Sequence, residues 1–93
     1  MLQLPNVIGH RGAAAYAPEN TLASFRQAQR RGATWVEIDV KLTADGVPIV
    51  MHDSSLKRTM GIDRLVAETR RAELPAEVPT FEQAIACFEV LGL

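Results

Sequence analysis

Two short apolar runs with an amphipathic segment between them leave this chain few ways to fold. Val7-Ile8-Gly9 follows a Pro5-Asn6 break, and Thr34-Trp35-Val36-Glu37-Ile38-Asp39-Val40 forms the second run. The first, with no polar member, suits a strand covered on both faces, as a parallel sheet flanked by helices requires. Between the runs, Pro18 and the capping candidates Asn20 and Thr21 introduce Leu22, Phe25 and Ala28 on one face, with Arg26, Arg30 and Arg31 on the other. Basic residues in the last turn suit the negative end of the helix dipole, and Gly32 can take the left-handed conformation that stops a helix. The spacing predicts a helix over residues 20–31. Strand, helix and strand make a βαβ unit, and hence an α/β fold.

The second run also carries charge. Period-two geometry puts Glu37 and Asp39 on one strand face, in a row with Trp35 and Lys41, while Ile38 and Val40 face the opposite way. Two adjacent carboxylates repel each other and are costly to bury, so the pair requires a cation, a proton or solvent. The turn signal Ala44-Asp45-Gly46 then precedes Val47-Pro48-Ile49-Val50-Met51, which predicts a hairpin ending at His52. Both histidines of the chain, His10 and His52, therefore stand where an apolar run stops. A lone histidine at a strand end is ordinarily a hydrogen-bonded structural residue. Two at matched ends, beside a carboxylate pair, point to a reactive site.

Residues 54–61 are polar and rich in turn formers. Leu65-Val66-Ala67 reads as a short edge strand, and Thr69 as the cap of a single turn through Leu74. Pro75 and Pro79 bracket a loop, after which Thr80-Phe81-Glu82-Gln83 matches a capping box. Phe81, Ala84, Ile85, Phe88 and Leu91 then follow helical spacing up to a stop at Gly92, giving an apolar stripe that must pack against a sheet. A formal charge of -1 excludes general attraction to nucleic acid or anionic lipid. No run approaches a membrane span, and no basic-then-apolar leader opens the chain, so it reads as cytoplasmic. The single cysteine, Cys87, cannot form an internal disulfide. With no linker or repeat beyond the βα unit, residues 1–93 read as one domain with open sheet edges.

Several phrases together resemble the glycerophosphodiester phosphodiesterase family. They are Ile8-Gly9-His10-Arg11-Gly12, Pro18-Glu19-Asn20-Thr21 with Ser24-Phe25, Val36-Glu37-Ile38-Asp39-Val40, Thr43-x-Asp45-Gly46, and His52-Asp53 with Arg58-Thr59. Their order and spacing cover most of residues 7–61, and Pro79-Thr80 with the following helix resembles the segment leading into the family's third strand. The resemblance implies the N-terminal portion of a TIM-type (β/α)8 barrel, incomplete in this chain, with its site at the C-terminal strand ends. It also implies metal-assisted cleavage of glycerophosphodiesters to glycerol 3-phosphate and an alcohol. On that basis Glu37 and Asp39 are metal ligands, and their hard oxygens favour Mg2+ or Ca2+. His10 and His52 form the acid–base pair, with His52 taken as base and His10 as acid, and Arg11 binds the phosphate. The family's third metal-binding carboxylate is expected on a strand following Leu93, so activity is expected only in a complete barrel.

Other readings stand beside this one. The chain could be a non-catalytic remnant or interaction module, its sheet edges covered by self-association or by the remaining barrel, or belong to a related phosphodiesterase with another head group. Arg11 could pair with a carboxylate instead of a phosphate. Glu19 and Asn20 read as residues that start the helix, and Asp53 as a turn residue or one behind the site. Arg30-Arg31 and Arg70-Arg71 read as solvated charges, and Trp35, Phe81 and Phe88 as packing residues, Trp35 on the carboxylate face.

Overall fold

The computed structural model describes residues 19–92 and the backbone of residues 8–10. Strand β1 (Ile8–His10) is followed by helix α1 (Leu22–Arg30) and strand β2 (Trp35–Glu37). β1 and β2 pair in parallel, with Ile8 opposite Trp35 and His10 opposite Glu37, so the predicted βαβ unit is present. Strands β3 (Val40–Leu42) and β4 (Pro48–Val50) form the predicted antiparallel hairpin, with Val40 opposite Val50. A short helix α2 (Lys57–Met60) and a longer one, α3 (Phe81–Leu91), complete the labelled elements.

Local chemistry explains most of these boundaries. Thr21, not Asn20, caps α1. Its hydroxyl accepts from the Ser24 backbone N–H at 3.2 Å, while the Ser24 hydroxyl accepts from the Thr21 N–H at 3.3 Å. At the other end Gly32, at φ 93°, takes the left-handed turn, and its N–H donates to the Gln29 carbonyl. In the hairpin the Thr43 hydroxyl donates to Asp45 Oδ1 at 2.6 Å and accepts from the Val47 N–H at 3.0 Å, closing the turn through Gly46. The Thr80–Gln83 capping box is formed as its sequence spacing predicts.

β4 divides the interior. Ile49 and Met51 point to one side, where Leu56, Val66, Leu74 and Val78 are buried around them. Val50 points to the other, against Phe25 and Ala84. Period-two alternation along a strand covered on both faces thus gives each sheet face its own core. The Phe25 and Phe88 rings meet edge to face with centroids 4.9 Å apart, joining α1 to α3.

Four expectations need correction. The predicted run across residues 34–40 is not one strand: it stops at Glu37, skips Ile38 and Asp39, and resumes as β3 with a different partner. Val40 lies in the resumed segment and is 43% exposed, whereas Ile38 still packs beside Phe25 and Val50. Leu65-Val66-Ala67 does not form an edge strand. Leu65 makes an isolated bridge with Ser55, and residues 66–68 wind into a 3-10 turn that buries Val66. Thr69 caps nothing. Its hydroxyl donates to the Leu65 carbonyl at 2.8 Å, and the next turn begins at Arg70, whose N–H donates to Glu73. The stripe on α3 is rotated from the expected one: Ala84, Cys87, Phe88 and Leu91 face the core, while Phe81 and Ile85 are 39% and 38% exposed.

Phe25 has no exposed surface and fills the joint between α1, α3 and β4. Phe25→Ala is expected to lower unfolding free energy by about 3–5 kcal/mol in urea denaturation. Thr80→Ala, which removes one cap, is expected to cost about 1 kcal/mol in the same measurement.

Candidate active site

The candidate residues gather where the strands end. In the parallel register the backbone of His10 lies opposite Glu37, so the last residues of β1 and β2 are neighbours. The side chain of His10, and Arg11 altogether, lie outside the described residues. Glu37 is exposed at the end of β2, and Asp39 is half-buried two residues on. The carbonyl of Asp39 accepts from the Met51 N–H at 2.8 Å, which continues the hairpin ladder and brings the residue before His52 against Asp39. Strand pairing thus sets the backbone of His10 beside Glu37, and the Met51–Asp39 bond sets the residue before His52 beside Asp39, two residues further along the chain.

His52 is oriented by its neighbour. Its Nδ1 lies 2.7 Å from Asp53 Oδ1. An ionised carboxylate offers no proton, so the proton of this bond sits on Nδ1 and leaves Nε2 of the neutral ring with its lone pair. Asp53 is ionised for a clear reason. Arg58 donates to its Oδ2 from Nε at 2.8 Å and to its Oδ1 from Nη2 at 3.0 Å. Those bonds, and next the one from His52, hold the Asp53 carboxyl well below its usual value of 3.8. The same guanidinium reaches 39 residues back along the chain. Nη1 and Nη2 donate to the two carboxylate oxygens of Glu19 at 2.7 and 2.9 Å. Forked to Asp53 and then to Glu19, Arg58 has its pKa raised further above the already high arginine value.

Glu19 leads directly to Asn20, whose Nδ2 donates to Asp39 Oδ2 at 3.3 Å. Side-chain contacts thus run from His52 through Asp53 and Arg58 to Glu19, the peptide bond carries the path to Asn20, whose amide meets Asp39, and the Met51–Asp39 backbone bond closes the ring. Sequence reasoning reads Asp53 as a turn residue or one behind the site and Glu19 and Asn20 as helix-starting residues, and it gives Arg58 no role of its own. The Asp53–Arg58 spacing was the one available signal, since nothing local marks a partner as distant as Glu19.

Glu37 and Asp39 suit a hard divalent cation in donor type, both offering carboxylate oxygens, and the amide of Asn20 braces one of them. Among the described residues no group of three or more His, Cys, Asp or Glu side chains gathers into a metal cage. Trp35 is exposed on the strand position two before Glu37, as the alternation predicts. Arg30, Arg31 and Arg70 lie at the surface.

A sign follows for acid stability. A carboxyl whose folded pKa is depressed stabilises the fold fully above its unfolded value and loses that contribution as pH falls through the folded one. The unfolding midpoint of the wild type should therefore exceed that of Asp53→Asn above pH 3.8 and converge on it with further acidification. Imidazole 15N NMR should show neutral His52 as the Nδ1-protonated tautomer, and Asp53→Asn should remove that preference.

Comparison with known proteins points to one family. The model of the glycerophosphoryl diester phosphodiesterase family matches residues 10–90. Glycerophosphodiester phosphodiesterase 1 of Mus musculus is 43% identical over 96 residues, an alignment covering 86% of this chain but 29% of that protein. Among solved structures, an Oleispira antarctica phosphodiesterase in complex with the product sn-glycerol-3-phosphate superposes with a TM-score of 0.92 at 41% identity, over 97% of this chain and 42% of that one. A glycerophosphodiester phosphodiesterase from Thermotoga maritima gives a TM-score of 0.80 at 35% identity, over 96% of this chain and 39% of that one. The chain spans less than a third of the first curated relative and about two fifths of these barrels, and has the α/β architecture of a TIM-barrel portion. With its family model matched over residues 10–90, this chain belongs to the glycerophosphoryl diester phosphodiesterase family.

Proposed function

We propose that this chain provides the metal-binding and acid–base part of a hydrolase that cleaves glycerophosphodiesters to glycerol 3-phosphate and an alcohol. The observation that carries the reading is His52 held by Asp53 with Nε2 left to take a proton, on the strand that hydrogen-bonds to Asp39. The product bound to the Oleispira antarctica relative has the same chemistry, a phosphate monoester on glycerol.

Each residue has a distinct task in this reaction. A divalent cation, Mg2+ or Ca2+, held by Glu37 and Asp39 would neutralise charge on the phosphoryl oxygens when bound. His52 accepts the proton of the attacking group at Nε2, and the ionised Asp53 stabilises the imidazolium that results. The guanidinium of Arg58 keeps Asp53 ionised, so Asp53 does not itself take the proton. His10 returns a proton to the leaving alkoxide, and Arg11 binds phosphate oxygens through its planar fork of donors.

The remaining strands of the barrel complete the site, so turnover belongs to the full-length protein. A cytoplasmic setting suits the free thiol of Cys87, and no helix among the described residues is long and apolar enough to cross a membrane. A different head group has one observation in its favour: a glycerophosphoinositol inositolphosphodiesterase of Homo sapiens is 52% identical over 58 residues, covering 62% of this chain and 11% of that protein.

The full-length natural protein is expected to hydrolyse glycerophosphocholine in Mg2+ or Ca2+ and to stop in EDTA. His52→Ala should lower kcat by about 10²–10⁴-fold, and Glu37→Ala should abolish the metal response. Residues 1–93 alone should show only background turnover. Hydrolysis indifferent to both substitutions would remove the site assignment, and hydrolysis of glycerophosphoinositol alone would favour the other head group.

A further inference from the structure

Asn20 is an odd residue at its position. It is 3% exposed and sits at φ 54°, the left-handed region that glycine occupies without cost. It does not cap α1, because Thr21 performs that task. Among the described residues its Oδ1 is buried with no hydrogen-bond partner, a defect that costs stability. Glycine would satisfy the backbone and remove the stranded oxygen. The position is therefore not explained by the turn into the helix.

The other end of the amide explains it. Asp39 as a carboxylate accepts hydrogen bonds and donates none, so the amide must present Nδ2 to Asp39 Oδ2, and Oδ1 is turned into the interior as a consequence. An aspartate at this position would tolerate the same backbone conformation but would set a second negative charge against Asp39. Asparagine combines tolerance of positive φ with a neutral N–H donor at the right reach.

We infer that Asn20 is a positioning residue for Asp39: its buried amide fixes the carboxylate so that it presents oxygen to a divalent cation together with Glu37. The inference rests on the metal-binding role proposed for that pair. The stranded Oδ1 is a local cost retained for the orientation of Asp39, which neither the fold nor the capping of α1 needs.

Calorimetric titration of the full-length protein with Mg2+ and with Ca2+ tests this, with urea unfolding run alongside. Asn20→Gly preserves the backbone and removes the amide. It should weaken metal binding by about 10–100-fold, the range for removing a group that orients a metal ligand, with the unfolding midpoint unchanged or raised. Asn20→Ala adds backbone strain, so its midpoint should fall while its metal affinity matches that of Asn20→Gly. Affinity that follows the midpoint, falling in Asn20→Ala and staying at the wild-type level in Asn20→Gly, would make Asn20 purely structural. Loss of binding in Glu37→Ala together with wild-type binding in Asn20→Gly would overturn the positioning role and leave the metal site standing. Wild-type protein with no affinity for either cation would overturn both.

Discussion

The two hydrophobic cores meet at β4, whose consecutive side chains face opposite ways. Ile49 and Val50 are consecutive residues, yet one belongs to the core beneath the loop residues 56–78 and the other to the core beneath α1 and α3. A strand can serve two cores only if its backbone is paired and its side chains alternate without a slip, because a shift of one residue would exchange every partner. The pairing comes from β3 on one edge, from the Val50 N–H donating to the Pro79 carbonyl, and from the isolated bridge between Ile49 and Thr80. Met51 then extends the strand to the carbonyl of Asp39, and His52 follows as the first residue with nothing apolar left to bury. The placement of the histidine is thus a consequence of core packing.

Electrostatics organises the outer part of the site as apolar contact organises the inner part. A single guanidinium faces two carboxylates in forked geometry, one beside His52 and one at the start of α1. An exposed pair with one bond contributes little, but a planar donor group held on both sides fixes direction as well as charge. That directional constraint reaches His52 through Asp53. On the opposite arm the neutral amide of Asn20 acts on Asp39, so charge balance is kept where a second cation or anion would disturb the carboxylate pair.

The elements encoded by local rules were legible. Alternation and the Ala44-Asp45-Gly46 signal marked the hairpin, and Thr80 with Gln83 marked the start of α3, because caps and turns are written within four or five residues. The break at Ile38 and Asp39 was not, since the alternation runs straight through it and only the change of strand partner reveals it. Leu65 to Ala67 misled because β-favouring side chains were overruled by the burial of Val66 in a 3-10 turn. For the candidate site, residue type and strand-end position single out His52, Glu37 and Asp39, and the structure places Asp39 beside the residue before His52. The bond between Glu19 and Arg58 was invisible, as no local pattern specifies which of several acids an arginine will meet. Asn20 resembled a cap because it stands one residue before the true one.

The closed ring of contacts around the site has a bearing on the order in which the chain can assemble. Its hairpin half is local: His52, Asp53 and Arg58 lie within seven residues and can meet as soon as β4 and α2 form. Glu19 must arrive from 39 residues away, and closing a loop of that length is resisted by chain entropy until other contacts hold its ends. Packing of Phe25 against Val50 supplies such a hold and places residues 19 and 20 only after the two halves have docked. Loop closure thus favours late formation of the candidate site, since a chain with only its hairpin half formed carries His52 and Asp39 without the Glu19 and Asn20 contacts that frame them.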